Sequence, residues 1–288
     1  MKGIILAGGK GSRLYPMTKA MSKPLIPIYD KPMVYYPLSV LLTAGIRDIM
    51  LITAPPDVES YQRLLGDGSQ YGVHMSYGIQ YVARGIADAF LIAEDFLAGD
   101  RCCLVLGDNM FHGEQLSYLL WDAAQQESGA TIFGYPVSNP RAYGVVEFDE
   151  NNRVLSIEEK PEHPRSNYAV PGLYFYDGKA VELAKTLKPS ARGELEITAL
   201  NEEYLKRGEL RVGLMTRGMA WLDTGTPEGM LNAAQYVEAV QSRQGLYIAC
   251  PEEIAWSKGF ITTEQLYAIG NDLKMTEYGQ YLLSLGKK

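Results

Sequence analysis

The feature that most restricts the fold is an alternation of short apolar runs and helical patterns through the first half of the chain. Runs of strand length occur, in order, as GIILAG, DIMLITA, VHMSYGI, RCCLVLG and ATIFGYPV, with helices predicted between them, one of them over IADAFLIAEDFLAG. Because strands joined by helices form right-handed crossovers, this order predicts an α/β fold with a Rossmann-like central sheet, mixed but mostly parallel, flanked by helices. Ligands bind beyond the carboxyl ends of strands in such sheets, so residues 8–13 and 107–109 are candidate binding segments.

The second half of the chain has a different pattern. YGVVEFDENNRVLSIEEKP is typical of a hairpin with an Asn-rich turn, NYAVPGLYFYD of one further strand, and LRVGLMT of a strand that follows two helices. A long amphipathic helix is predicted to end near Gln244, and the residues after it are helical in pattern. We therefore predict one domain over residues 1–244 and a C-terminal helical extension over residues 245–288 that packs on the core or on a partner.

The charge balance excludes several classes of partner. The chain has 27 Lys and Arg against 34 Asp and Glu, a formal net charge of −7, and so no general attraction for nucleic acid or an anionic membrane. Its three cysteines fit a reducing compartment better than a disulfide framework. No apolar stretch is long enough to span a bilayer, and no signal-peptide pattern precedes the first strand. These features predict a cytoplasmic protein.

The segment LAGGKGSRLYPMTKAMSKPL indicates a phosphate site. It fails the P-loop pattern because Gly9-Lys10 is followed by glycine and not by Ser or Thr, and it fails the dinucleotide pattern because Leu14 stands where a third glycine is required. Glycines still let backbone N–H groups approach an anion closely, and Arg13 and Lys23 add cationic donors. These N–H groups and cations together suit a triphosphate. The glycines alone are equally compatible with an ordinary strand-to-loop turn.

With its continuation, this segment resembles the L-x-G-G-x-G-[ST]-R-L signature of the nucleoside-diphosphate-sugar pyrophosphorylases, a family of sugar nucleotidyltransferases. The resemblance continues in order through nearly the whole chain, at LVLGDN, YGVVEF, EEKP, SNYAV, RGELEIT and WLDTGT. It implies a GT-A-like fold and a Mg²⁺-assisted reaction in which glucose 1-phosphate attacks the α-phosphorus of dTTP, giving dTDP-glucose and pyrophosphate. The alternatives are an enzyme that uses UTP or another sugar 1-phosphate, and a non-catalytic relative that senses nucleotide sugars.

The resemblance also assigns roles to charged residues that follow strands. It implies a catalytic set of Arg13, Lys23, Asp108 and Asp223, in which the two aspartates hold Mg²⁺. Both aspartates follow apolar runs, in the contexts GDN and LDTG. A single aspartate after a strand is more often a loop or cap residue, and either cation alone could belong to a solvated loop. No general base is expected, because a phosphate monoester with a second pKa near about 6 is largely dianionic at neutral pH.

The remaining candidates are divided by the resemblance between the two substrates. The nucleotide-binding part, about residues 1–110, is implied to hold dTTP through Leu6, Gly8, Gly9, Gly11, Ser12, Arg13, Gln80, Gly85 and Asp108. The sugar-binding part, about residues 110–244, is implied to hold glucose 1-phosphate through Asn109, Tyr143, Gly144, Glu159, Lys160, Val170, Arg192 and Trp221. Without the resemblance, Gln80 is an ordinary strand-end amide, Glu159 and Lys160 belong to a solvated strand end, and Trp221 is a core residue.

Two departures from the family pattern bear on specificity. This chain has QYVARGIADAF where one branch of the family usually has Q-P-S-P-D-G-L-A-Q-A-F, so residues 81–84 differ beside the predicted base site, and the choice between thymine and uracil stays open. Pro171 stands where the family has threonine, which removes a hydroxyl and an N–H near the sugar and leaves the sugar open as well. The resemblance further implies a homotetramer, with feedback from a dTDP-deoxysugar such as dTDP-rhamnose.

Overall fold

A ten-stranded mixed sheet lies at the centre of the structure, a computed structural model that describes residues 1–9 and 11–286. In chain order, the strands are β1 (Lys2–Leu6), β2 (Pro27–Ile28), β3 (Lys31–Pro32), β4 (Asp48–Thr53), β5 (His74–Ile79), β6 (Cys102–Leu106), β7 (Asn109–His112), β8 (Ala130–Pro136), β9 (Gly144–Phe148), β10 (Val154–Glu159), β11 (Tyr168–Ala169), β12 (Leu173–Tyr176), β13 (Leu210–Leu214) and β14 (Ala220–Asp223). Two small antiparallel pairs, β2 with β3 and β7 with β14, stand apart from the main sheet.

The amino-terminal side of the sheet is parallel and has the strand order β5-β4-β1-β6. Ile4 and Ile5 of β1 and Cys103 and Leu104 of β6 are fully buried, which explains why these strands are continuous apolar runs and do not alternate with polar residues. β1 and β6 are neighbours in register to their last residues. The glycine-rich loop after β1 and residues 107–109 after β6 therefore leave the sheet side by side, as predicted.

The other side of the sheet is mixed. β12 is antiparallel to both β6 and β8, and β13 is parallel to β8, so β8 and β13 run in the same direction as the amino-terminal strands. β11 pairs with the far end of β8, and the hairpin of β9 and β10 extends the sheet beyond it. The side chain of Asp149 closes the hairpin turn by accepting the N–H groups of Asn151 and Arg153. The predicted mixed, mostly parallel sheet is confirmed.

Helices flank the sheet and supply the rest of the core. They are α1 (Tyr35–Thr43), α2 (Val58–Leu65), α3 (Asp88–Ile92), α4 (Glu94–Leu97), α5 (Leu116–Gln125), α6 (Ala180–Thr186), α7 (Ile197–Lys206), α8 (Pro227–Gln244), α9 (Pro251–Ser257), α10 (Thr263–Asp272) and α11 (Glu277–Leu285). The long helix α8 begins with a threonine cap followed by Pro227 and ends at Gln244, as the pattern predicts. In the part of the chain that the structure describes, no helix is both long and apolar enough to cross a bilayer.

Two predictions for individual elements are wrong. IADAFLIAEDFLAG forms the two short helices α3 and α4, because the backbone leaves helical geometry at Ala93 between them. NYAVPGLYFYD forms the two strands β11 and β12 and not one, because Pro171 has no N–H for the sheet and the N–H of Gly172 donates to Oδ1 of Asn109. This break in the strand lies at the candidate site.

The last three helices are part of the main core. Ala255, Leu266 and Leu282 are fully buried in the same apolar cluster as Ile5 of β1. The N-terminus of α10 is closed by a capping box between Thr262 and Gln265, residues just before and inside the helix. Among the described residues after 244, α9 contacts α1, and α10 and α11 contact α9.

Candidate active site

The loop after β1 borders a cavity of about 290 Å³, called here the loop cavity. Gly9 and Gly11 adopt φ values of +116° and +55°, a backbone conformation that glycine adopts without strain. The cavity is lined by the predicted residues Leu6, Gly8, Gly9, Gly11, Ser12, Arg13, Lys23 and Asp108, together with Pro24, Ile86, Leu106 and Gly225. The glycines and both predicted cations therefore lie on one concave surface.

Lys23 and Asp108 form a buried ion pair in the wall of the loop cavity. The Nζ atom of Lys23 lies 2.5 Å from Oδ2 of Asp108, and the lysine is only 9% exposed. The other carboxylate oxygen of Asp108 accepts a hydrogen bond of 2.8 Å from the side-chain amide of Asn109. Both oxygens of Asp108 are thus held in place before any ligand binds.

Asp223 is brought beside Asp108 by the small β7–β14 pair. Asp223 is the register partner of Asn109, and the N–H of Thr224 donates to the main-chain oxygen of Asp108. A Cβ atom placed on Gly225 would lie 3.0 Å from both Nη2 of Arg13 and Oδ1 of Asp223. A side chain at this position would therefore crowd both the Arg13 guanidinium and the Asp223 carboxylate.

The environment of Asp223 disfavours a second negative charge. Burial raises the pKa of the Asp223 carboxyl, and the nearby charge of Asp108 raises it further. The charge of Lys23, the N–H of Gly225 and the charge of Arg13 act in the opposite direction. Two carboxylates that repel each other in a partly buried site are stabilised by an additional cation.

A divalent cation fits this donor set. Across residues 1–9 and 11–286, no group of three or more His, Cys, Asp and Glu side chains is arranged to hold a metal ion. The protein would therefore contribute the two carboxylates of Asp108 and Asp223, and water and substrate phosphates would supply the other ligands. A cation that prefers hard oxygen ligands and retains several waters can be held in this way.

A second cavity of about 250 Å³, called here the sugar cavity, adjoins the first and shares Arg13, Ile86, Leu106 and Asp108 with it. Its lining contains every predicted sugar-binding residue except Arg192, namely Asn109, Tyr143, Gly144, Glu159, Lys160, Val170 and Trp221, and also Asp223. Asp108 therefore stands where the two cavities meet, and Asp223 beside it lines the sugar cavity.

Asn109 connects several walls of the sugar cavity. Its Oδ1 atom accepts hydrogen bonds from Nε1 of Trp221 at 2.6 Å and from the N–H of Gly172 at 3.0 Å. Trp221 is 8% exposed, and its ring meets the ring of Tyr143 edge to face at a centroid distance of 5.0 Å. Trp221 is thus both a core residue and part of the cavity wall.

Glu159 and Lys160 occupy the end of β10, where the strand leaves the sheet. Oε2 of Glu159 accepts a hydrogen bond of 2.7 Å from the hydroxyl of Thr198, which fixes the carboxylate. Lys160 has a φ of +45°, unusual for a residue with a side chain, and its N–H donates to the main-chain oxygen of Tyr143. Such backbone strain concentrates at functional sites, where neighbouring contacts hold it in place.

Arg192 lies apart from both cavities. Its Nη2 atom is 2.9 Å from Oε1 of Glu196 and 3.5 Å from Oε1 of Glu159, and its side chain is 47% exposed. The structure therefore places Arg192 at the rim, next to Glu159, and pairs it with acidic side chains.

The predicted base-binding residues are separated in the structure. Gln80 lines a third cavity of about 430 Å³, called here the base cavity, which shares Gly9 and Lys23 with the loop cavity. Gly85 lines none of the three cavities. It has a φ of +105°, and a Cβ atom there would lie 2.4 Å from the main-chain oxygen of Leu195. Glycine is required at position 85 by this close approach of two backbone segments.

Several lining residues were not found by the sequence analysis. Thr198 and Asn201 enter the sugar cavity from α7, and Ile86 stands where it meets the loop cavity. Thr198 ends the family motif RGELEIT, but the sequence assigned it no role, and Asn201 lies outside the quoted motifs; both reach the cavity through the packing of α7 on β10. Asp88, whose contacts with Gln80 are described below, was also not among the predicted site residues.

Residues 2–240 match the family model described as nucleotidyl transferase. The fold, the glycine loop and the paired aspartates agree with that match, and the chain belongs to the nucleotidyl transferase family. The resemblance inferred from the sequence is thereby confirmed. Proteins of this family act on nucleoside triphosphates and sugar phosphates.

Within that family, the similar proteins with curated names point to one activity. The chain is 58% identical over 288 residues to the glucose-1-phosphate thymidylyltransferase of Neisseria meningitidis serogroup A, with complete coverage of both chains. It is 53% identical over 285 residues to the glucose-1-phosphate thymidylyltransferase of Mycolicibacterium smegmatis, with 99% of both chains covered.

Solved structures show the same fold. A Bacillus anthracis protein designated a candidate glucose-1-phosphate thymidylyltransferase, determined with a bound sucrose, superimposes with a TM-score of 0.78 at 41% identity, over 88% of this chain and 99% of that one. A UDP-glucose pyrophosphorylase determined with UDP-glucose has a TM-score of 0.73 at 23% identity, over 84% of this chain and 99% of that one. The second likeness is one of fold, and both confirm the GT-A-like nucleotidyltransferase architecture.

Proposed function

We propose that this protein transfers a thymidylyl group from dTTP to glucose 1-phosphate and releases dTDP-glucose and pyrophosphate. The observation that carries the proposal is the junction of the loop cavity and the sugar cavity at Arg13 and Asp108, with Asp223 in the lining of the sugar cavity. A triphosphate on the glycine loop and a sugar phosphate beside Lys160 would meet there. The names of the full-length relatives at 53–58% identity support the same reaction.

The chemistry requires positioning and charge neutralisation more than proton transfer. A sugar phosphate is largely dianionic at neutral pH, so its oxygen can attack the α-phosphorus of the nucleotide without a general base. Arg13 and Lys23 are placed to neutralise charge that builds up on the triphosphate in the transition state. Lys23 is held for this role by Asp108, and Arg13 lies near enough to Asp223 for its charge to lower the pKa of that carboxyl.

The metal ion in this proposal is Mg²⁺, held by Asp108 and Asp223. Bound there, it would neutralise phosphate oxygens and help to orient the triphosphate. Asn109 fixes the Asp108 carboxylate, and the N–H of Gly225 fixes that of Asp223, so the protein's two ligands are oriented in advance.

The sugar cavity supplies groups suited to a sugar phosphate. The ammonium of Lys160 is the cation of this cavity nearest to Glu159, at 3.8 Å from its Oε1. We assign the phosphate to Lys160 and the sugar hydroxyls to Glu159 and to the main chain around Gly144. The edge of Tyr143 and the indole of Trp221 close the wall behind the ring.

Pyrophosphate release tests the reaction directly. The purified protein with Mg²⁺ and glucose 1-phosphate is offered dTTP, UTP, dCTP, ATP and GTP in turn, and the sugar nucleotide is identified by mass. We expect the highest turnover with dTTP. A strong preference for UTP would contradict the thymidylyl assignment, and the absence of product from every pair would contradict the enzyme assignment.

Two carboxamide variants test the metal ligands. Asp108→Asn and Asp223→Asn each keep the size of the side chain and remove one charge, so we expect turnover to fall by about 10²–10³-fold or more with the fold intact. Asp122→Asn, on the exposed face of α5, is the matched control and should retain full activity. Near-normal rates in both site variants would overturn the assignment.

We also propose that the protein is a cytoplasmic homotetramer subject to feedback by a dTDP-deoxysugar such as dTDP-rhamnose. The cysteines support a reducing compartment, since Cys102, Cys103 and Cys250 are free and buried. Light scattering during size-exclusion chromatography measures the assembly. Inhibition that glucose 1-phosphate does not relieve would indicate a feedback site separate from the sugar cavity.

A further inference from the structure

The side chain of Asp88 lies buried beneath the predicted base-binding glutamine. Asp88 is the first residue of α3 and is 1% exposed. Its Oδ2 atom accepts a hydrogen bond of 3.1 Å from Nε2 of Gln80, and its Oδ1 atom accepts one of 2.8 Å from Nη2 of Arg84. Each oxygen of the Asp88 carboxylate therefore accepts a hydrogen bond, one from a neutral amide and the other from a guanidinium.

The Asp88 carboxylate determines which way the amide of Gln80 faces. An ionised carboxylate can only accept hydrogen bonds, so the amide must turn its NH₂ group towards Asp88. Its oxygen then points the other way. A Cβ atom placed on Gly8 would lie 2.4 Å from Oε1 of Gln80, so this oxygen lies over the glycine loop, where the base cavity and the loop cavity come together.

We propose that Asp88 is a positioning residue that fixes Gln80 as a hydrogen-bond acceptor and so selects a base with an N–H on the edge that faces it. The inference rests on the proposed function, because it assumes that a nucleotide base lies against Gln80. Thymine and uracil present such an N–H at N3. Cytosine presents a lone pair at N3, which would oppose the lone pairs of Oε1.

The selection operates by repulsion as well as by attraction. A free glutamine amide can rotate by half a turn and offer either a donor or an acceptor, so it would accept both kinds of base. With its NH₂ held by Asp88, the amide cannot turn without placing two acceptors against each other in a buried site. A site that leaves a wrong ligand with unpaired or opposed polar groups discriminates strongly.

Arg84 supports this arrangement by neutralising the buried carboxylate. Its side chain is 58% exposed and reaches Asp88 from outside, four residues earlier in the chain. This pair lies within the segment QYVARGIADAF, where Arg84 stands at the position of an aspartate and Asp88 at that of a glutamine in the family pattern. Both of these differences from the family pattern therefore fall on residues that contact each other.

Replacing Asp88 by asparagine should rotate the side-chain amide of Gln80 by half a turn. With Arg84 still donating to one side, the asparagine oxygen would face Arg84 and its NH₂ would face Gln80. The amide of Gln80 would then turn its oxygen towards Asn and its NH₂ towards the base. In Asp88→Asn, we expect the ratio of dTTP to dCTP affinity to fall by roughly tenfold or more.

Calorimetric binding of dTTP and dCTP to the full chain measures this ratio without turnover. Arg84→Lys is the matched control: it alters the neighbouring side chain but keeps a cation beside the carboxylate, so Gln80 keeps its orientation and the ratio stays unchanged. In a Gln80→Ala background, Asp88→Asn should no longer affect the ratio, because Asp88 acts through Gln80. A ratio that is unchanged in folded Asp88→Asn, or that shifts equally without Gln80, would overturn the proposal.

The unaltered protein provides a second test that does not depend on a variant folding. A dTTP analogue methylated at N3 lacks the N–H that Oε1 of Gln80 would accept. We expect it to bind roughly tenfold or more weakly than dTTP. Equal binding of the two would overturn the proposal even if Asp88→Asn does not fold. Failure to bind any nucleotide would instead contradict the proposed function.

Discussion

At the scale of single residues, the position of a charged side chain in the site was predictable when that residue lies at the end of a strand. Asp108 follows β6 and Asp223 ends β14, and it was the family resemblance that predicted that the two act together. The roles of Asp88 and Thr198 were not predictable, because each residue acts by holding another side chain of the site. Asp88 holds Gln80, and Thr198 holds Glu159 across the gap between α7 and β10. Such contacts leave no periodic signal.

Lys160 offers a test of substrate assignment at this scale. Lys160→Met removes the ammonium, and we expect the KM for glucose 1-phosphate to rise by roughly ten- to hundredfold, which corresponds to the loss of about 1.5–3 kcal/mol from a charged hydrogen bond. The KM for dTTP should stay within about twofold, because the triphosphate is assigned to other cations. Steady-state kinetics with each substrate varied in turn gives both values.

A glycine variant separates the charge of Lys160 from its backbone. The φ of +45° at this position is accessible to glycine without strain, so Lys160→Gly removes the same ammonium and relaxes the main chain. Both variants should raise the same KM. If only Lys160→Met raised it, the backbone at the end of β10 and not the charge would be the cause.

At the scale of elements, the alternation of apolar runs predicted β1, β4 and β6 well, because strands buried on both faces form nearly continuous apolar runs. The strand break at Pro171 was less predictable. A proline in a strand pattern indicates an edge or a break, but that the freed N–H of Gly172 would be accepted by Asn109 depends on the neighbouring β7. The strand break at Pro171 therefore helps to form the wall of the sugar cavity.

Gly172 allows a prediction about this junction of β12 and β6. A Cβ atom there would lie 2.5 Å from Cδ1 of Leu106, so Gly172→Ala must push the start of β12 away from β6. We expect the free energy of unfolding to fall by about 1–3 kcal/mol, as is usual for an overpacked core. Turnover should fall further than the folded fraction does, because Asn109 loses its N–H partner. Urea denaturation and kcat measure the two effects.

A second substitution tests whether the collision is the cause. Leu106→Ala in the Gly172→Ala background removes the side chain that the new methyl group would strike. The double variant should then be less destabilised than the sum of the two single variants. Strict additivity would show that Gly172 matters for another reason.

At the scale of the whole molecule, the sequence pattern indicated helices after residue 244 but not how they contribute to the core. The buried contacts make them part of one folding unit. Oε1 of Gln241, at the end of α8, accepts hydrogen bonds from the ammonium of Lys31 and from the N–H of Ile248. The hydroxyl of Tyr278 in α11 donates a hydrogen bond to the buried carboxylate of Glu252 in α9. Burial raises the pKa of the Glu252 carboxyl. The contact between Lys31 and Gln241 joins residues 210 positions apart in the chain.

The shared core predicts that the active site and the C-terminal helices unfold together. Leu282 of α11 is fully buried in the cluster that contains Ile5 of β1. We expect Leu282→Ala to lower the free energy of unfolding by about 2–5 kcal/mol, and Met275→Ala, at a position 90% exposed, to leave it unchanged. Far-UV circular dichroism and the fluorescence of Trp221, with the other tryptophans replaced, should report one coincident transition in urea. An earlier loss of helix with the Trp221 signal intact would mean that residues 245–288 fold as a separate unit, and that the sheet and its cavities are stable without them.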